Sequence, residues 1–100
     1  VIFASGSGTN SENIVKYFDK NKDIEVKFIV ANKNTAGVLD RAKRLDIPVK
    51  IITKKDLNSE FFLHFLESEA EFLILAGFLL KIPENIILKF SNKIINIHPA

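Results

Sequence analysis

Two hydrophobic rhythms take turns along this chain. Short runs rich in Val, Ile and Phe, the composition of strands, alternate with stretches whose apolar residues recur three and four apart, the spacing of one helix face. The first run is Val1 to Ala4, and after a loop from Ser5 to Asn10 the segment Glu12 to Lys22 places Ile14, Val15 and Phe18 on one helix face. Ile24 to Asn32 is β-rich and ends in Val26-Lys27-Phe28-Ile29-Val30-Ala31, and Ala36 to Leu45 predicts a helix with Val38, Leu39, Ala42 and Leu45 inward. Ile47 to Thr53 predicts a third strand, with Pro48 near its start, where a missing N–H is tolerated. Asp56 is the expected N-cap of the next helix, with Glu60 in its first turns and Phe61, Phe62, Phe65 and Leu66 as its apolar face.

The run Phe72 to Ala76 is nearly all apolar, as expected for a central strand covered on both faces. Gly77 punctuates its end. Pro83 falls where the first turn of a helix would start, Glu84 to Phe90 continues it with Ile86, Ile87 and Phe90, and Lys93 to Ile97 forms a fifth strand. This strand-helix alternation predicts an α/β fold: a Rossmann-like three-layer sandwich on a mostly parallel sheet with crossover helices.

Composition narrows the picture without redirecting it. One hundred residues allow one core, and no repeat, linker or low-complexity tract divides them, so residues 1–100 form one unit. An apolar share of 47% with 26% charged residues is ordinary globular usage. The net charge is +2 with Lys and Arg scattered among Asp and Glu, so no basic stripe marks a nucleic-acid footprint. There is no cysteine for a disulfide or a zinc site, and His64 and His98 alone do not point to a metal; a reducing, cytoplasmic setting is expected. The apolar runs fall short of a membrane span and Val1-Ile2-Phe3-Ala4 has no basic n-region ahead of it, so a soluble protein with no membrane partner is expected. The chain opens without Met inside a strand-like run and stops just past another, which reads as a truncated fragment.

Two motifs carry chemistry. Ser5-Gly6-Ser7-Gly8-Thr9-Asn10 lies between a strand and a helix, where backbone N–H groups and the helix dipole converge on an anion, and a phosphate is the natural guest. The third glycine of a dinucleotide fingerprint would fall at Ser11, and the second strand ends in Ala31-Asn32-Lys33 without the acidic residue that holds a ribose hydroxyl. No Gly-Lys-Ser/Thr follows the loop, so the ATPase pattern fails too. A monophosphate fits better, and the bland alternative is a pair of glycines that shape a turn. Asn96 and His98 stand two apart at a strand end and project to one face. A neutral amide can donate to a developing oxyanion while an imidazole moves a proton near neutral pH. The alternative is a strand closed by Asn96, a structural histidine and a terminating Pro99. His64, among apolar residues on a helix, is assigned no role.

Four segments together resemble the phosphoribosylglycinamide formyltransferase family: Ser5-Gly-Ser-Gly-Thr-Asn10, Asn32-Lys33 ahead of Ala-Gly-Val-Leu-Asp-Arg-Ala, Leu75-Ala-Gly-Phe78, and Asn96-Ile-His-Pro99. They occur in the family's order and span the whole chain, which would be roughly the first half of a member. The resemblance implies formyl transfer from 10-formyltetrahydrofolate to the amine of glycinamide ribonucleotide in purine synthesis, without a metal. It assigns Gly8, Thr9 and Asn10 to the substrate phosphate, Leu79, Leu80, Lys81, Ile82 and Asn96 to the folate, Asn96 to the formyl oxygen, and His98 to proton transfer. The implied partners are small molecules, with a homodimer left open. Members place an aspartate downstream of the histidine, beyond Ala100, and often carry an arginine after a Phe-Met pair where this chain has Phe78-Leu79-Leu80-Lys81. Formyltetrahydrofolate deformylase and methionyl-tRNA formyltransferase share the Asn-x-His end but not the phosphate loop. A non-catalytic phosphate-binding module is the alternative of a different class, and this half of a site is expected to be inactive alone.

Overall fold

The computed structural model describes residues 1–5, 9–19, 21, 23–32 and 36–97. Along them run β1 (Ile2–Ala4), α1 (Thr9–Phe18), β2 (Ile29–Ala31), α2 (Ala36–Leu45), β3 (Val49–Ile51), α3 (Lys54–Leu57), α4 (Glu60–Glu69), β4 (Leu73–Ala76), α5 (Glu84–Lys89) and β5 (Ile94–Ile97). The strands pair in parallel in the order β3-β2-β1-β4-β5. The chain builds outward from β1 to β3, then crosses back to the other side of β1 at β4. This reversal makes the carboxyl ends of β1 and β4 the topological switch point, where open α/β sheets hold ligands.

The pleat sorts side chains onto two faces. Phe3, Val30 and Leu73 meet Leu57, Phe62, Leu66 and Ile86 of the α3, α4 and α5 layer. Ile2, Ala4, Ile29 and Ala31 meet Val15, Val38 and Ala42 of the α1 and α2 layer. The α/β sandwich expected from the sequence is therefore what forms. The first core is aromatic: Phe3 makes edge-on contacts with Phe62 and Phe78, at ring-centroid distances of 6.3 and 5.2 Å. The second combines Ile2, Ile29, Val15 and Val38 with Ala4, Ala31, Ala42 and Ala76 and has no aromatic residue among its buried members.

Several boundaries differ from the sequence reading. The first helix begins at Thr9 instead of Glu12 and ends at Phe18. Past it the chain turns, with the Asn21 N–H on the Phe18 carbonyl at 3.0 Å, in a polar run with little to bury. The second strand shortens to Ile29–Ala31. Asp56 is not the N-cap expected of it. Thr53 caps the short α3, its hydroxyl accepting from the Asp56 N–H at 3.1 Å while the Asp56 carboxylate accepts from the Thr53 N–H at 3.0 Å. Ser59 then caps a separate α4 through the Phe62 N–H. That new start turns Phe61 to solvent, 79% exposed, and Leu63 takes its expected place in the core.

Candidate functional site

Among the described residues, Thr9 and Asn10, Leu79 to Ile82, and Asn96 belong to segments at or leading from the carboxyl ends of β1, β4 and β5. Thr9 and Asn10 are the first two residues of α1, exposed and half-buried. Their backbone N–H groups are among the four that a helix start leaves without intrahelical acceptors, and the helix dipole adds positive potential there. Gly8, the third member of the expected phosphate set, lies outside the described residues, as do Gly6, Ser7 and Lys33.

A carboxylate in the first turn of α1 would oppose an anion at this end. Glu12 is there, with its side chain only 12% exposed, and two guanidinium groups of α2 answer it: Arg41 at 2.6 Å and Arg44 at 3.2 Å. Two cations on one carboxylate leave the local charge non-negative, and they tie the helix that starts the site to its neighbour.

Ser5, to which the sequence reading gave no separate role, stands at the switch point itself. It follows β1, is buried, and its hydroxyl accepts the Leu79 backbone N–H at 2.9 Å across 74 residues of chain. The alternation that sends Phe3 into the α3–α5 face sends Ser5 the same way. A polar residue in the next inward position of a fully buried strand was the available signal. On the β4 side, Gly77 turns the chain with φ +75°, a left-handed conformation that strains any residue with a Cβ although nothing lies within 4 Å of where one would sit.

The expected folate segment follows directly. Leu79 is 74% exposed, Lys81 is exposed, and Leu80 is half-buried against the aromatic core. Ile82 is buried inside that core, so its side chain is turned away from solvent. Asn96 pairs with Leu75 in the β4–β5 register and is exposed. Ile94 packs toward the α3–α5 core, and the two-residue repeat puts Asn96 on that same face. Ser5, Leu79 and Asn96 thus share one face at one edge. His98 lies outside the described residues. His64 is exposed on α4 with Glu67 at 3.9 Å, away from this edge.

Two clefts, of about 510 and 620 Å³, lie at the opposite end, where Phe18, Ile24, Val26 and Phe72 lead into or away from the amino ends of the strands. They hold none of the residues at the carboxyl edge. Among the described residues no helix is long and apolar enough to cross a membrane.

A five-stranded parallel sheet with a switch point at β1 and β4 defines an α/β domain of the open, doubly wound class. More narrowly, the chain belongs to the formyl transferase family, whose model matches residues 1–100. It is 33% identical over 106 residues to the phosphoribosylglycinamide formyltransferase of Bacillus subtilis (strain 168), covering 99% of this chain and 54% of that protein. Glycinamide ribonucleotide transformylase 1 from Geobacillus kaustophilus superimposes with a TM-score of 0.81 at 33% identity, over 98% of this chain and 56% of that one. Phosphoribosylglycinamide formyltransferase from Brucella melitensis gives 0.85 at 27% identity, over 98% and 55%. The chain spans about half the length of these three relatives.

Proposed function

We propose that the protein containing this chain transfers a formyl group from 10-formyltetrahydrofolate to the amine of glycinamide ribonucleotide, in the cytoplasm and as a step of purine synthesis. The observation that carries the reading is the convergence of the α1 start, the exposed segment after Gly77 and Asn96 on one sheet edge, in a chain matched along its whole length by the formyl transferase family. In this reading residues 1–100 are the phosphate-binding part of a larger domain.

Gly8, Thr9 and Asn10 hold the ribonucleotide phosphate at the helix start. Leu79, Leu80, Lys81 and Ile82 line the folate, Leu79 with its exposed side chain. The substrate amine then attacks the formyl carbon. A C–N bond forms, the carbonyl oxygen takes the negative charge, and the Asn96 amide donates to it. His98 accepts the proton lost by the amine and returns it to the folate nitrogen as the old C–N bond breaks, leaving formylated ribonucleotide and tetrahydrofolate.

The test is His98→Ala in the full-length protein, followed by turnover with both substrates. A fall in kcat of roughly 100- to 10,000-fold is expected from loss of a general acid-base group. Unchanged turnover removes His98 from the mechanism, and a wild-type protein that transfers no formyl group refutes the reading as a whole.

A further inference from the structure

The two halves of the site are built by chain segments more than 70 residues apart, and beyond the β1–β4 ladder a hydrogen bond from the Leu79 N–H to Ser5 Oγ joins them. Ser5 directly follows β1 and Thr9, four positions on, starts α1, so Ser5 stands on the phosphate side of the proposed site. Leu79 is the first residue of the proposed folate segment, just past the left-handed turn at Gly77. Next to it Phe78 packs edge-on against Phe3 at 5.2 Å. The Leu79 side chain is exposed while its N–H points inward, so the backbone is anchored and the side chain is left free for a ligand.

We propose that Ser5 is a positioning residue that holds the folate-side segment at a fixed separation from the phosphate-side helix. The inference rests on the proposed formyl transfer and deepens it. Each site is formed by its own segment, so each substrate binds without the bond; their mutual distance depends on it. Reaction between two bound molecules is steep in that distance, and a displacement of about 1 Å costs about 100-fold in rate. Ser5→Ala removes the acceptor, leaves the Leu79 N–H unpaired in a partly buried place, and lets the segment shift.

The experiment uses the full-length protein. In Ser5→Ala, kcat is expected to fall roughly 10- to 100-fold, while dissociation constants for glycinamide ribonucleotide alone and tetrahydrofolate alone stay within about threefold. Ser5→Thr, which keeps the hydroxyl, is expected to recover most of kcat. A residue that only supported the fold would move both dissociation constants along with the rate, and that pattern, or an unchanged kcat, overturns the proposal. Amide exchange in the wild-type protein provides an arm that needs no variant and no turnover. The Leu79 amide should be protected, and exchange at the rate of a free amide overturns the proposal even if Ser5→Ala fails to fold. A wild type inactive with these substrates but with a protected Leu79 amide refutes the formyl-transfer reading, and with it the role of Ser5 in catalysis.

Discussion

The pairing of Glu12 with Arg41 and Arg44 makes a prediction about order as well as size. Glu12 is 12% exposed, Arg41 29% and Arg44 65%, with contacts of 2.6 and 3.2 Å. Removing one partner of a buried ion pair costs about 3–5 kcal/mol because the other charge is stranded, whereas exposed pairs are worth about 0–1 kcal/mol. Arg41→Met keeps the aliphatic stem but leaves a mostly buried carboxylate with only the exposed Arg44, so a cost near 2 kcal/mol follows from interpolation between those limits. Glu12→Gln removes the buried charge itself and leaves the exposed Arg44 able to turn to water, and about 1 kcal/mol is expected. Arg44→Met should cost under about 0.5 kcal/mol. Urea denaturation reads the series directly: at slopes of about 1–2 kcal/mol/M, Arg41→Met lowers the midpoint by roughly 1–2 M. The reasoning is refuted if Glu12→Gln costs more than Arg41→Met, or if Arg44→Met matches either.

Three further outcomes are expected. Phe3→Ala, which empties a fully buried position between Phe62 and Phe78, should cost about 3–5 kcal/mol by thermal or chemical denaturation, and a cost below 1 kcal/mol would show that the aromatic core collapses to fill the gap. The backbone N–H and hydroxyl of Thr53 hold the Asp56 carboxyl below its ordinary range, so its contribution is fully present above about pH 4 and is lost as pH falls through the lowered value. Asp56→Asn should therefore flatten the acid limb of a stability-pH curve, and an unchanged limb would contradict the capping geometry. Asn96→Ala should lower kcat in the full-length protein roughly 100- to 1000-fold, as loss of one oxyanion donor does, with stability changed by less than about 0.5 kcal/mol because the residue is exposed. Lost stability with intact kcat would make Asn96 a strand-closing residue.

What the sequence made legible was what is local in it. The Ala36–Leu45 helix matches residue for residue, because Val38 and Ala42 mark its buried face and a polar turn follows at Asp46. The carboxyl-edge position of Asn96 followed from its place at the end of an apolar run. The order of the strands was not legible, since nothing in Leu73–Ala76 says that it pairs with β1 instead of β3. Nor was the break between α3 and α4, where apolar spacing runs on from Leu57 to Phe61 and only the competing hydroxyls of Thr53 and Ser59 divide it. Ser5 was read as part of a phosphate loop, yet its hydroxyl accepts a bond from a segment 74 residues away.

The two faces of the sheet explain why the site sits where it does. On one face Ala4, Ala31 and Ala42 pack with Val15 of α1, and four residues separate the start of α1 from the end of β1. On the other face Phe3, Phe62 and Phe78 fill a deeper layer, and the chain leaving β4 is lifted over Phe3 before Leu79 reaches Ser5. With neighbouring strands about 4.8 Å apart, Asn96 on β5 stands two strands, or roughly 10 Å, from the line of β1. In the proposed reaction, a substrate anchored at the α1 start would extend over β4 to bring its reacting end to Asn96, and the Gly77–Ile82 segment follows β4 on that side. Moving β4 to the far side of β3 would part the same residues by most of the sheet's width. It is the reversal of strand order at β1, more than any one motif, that brings the helix start and the strand-end amide of the proposed site to one end of the sheet.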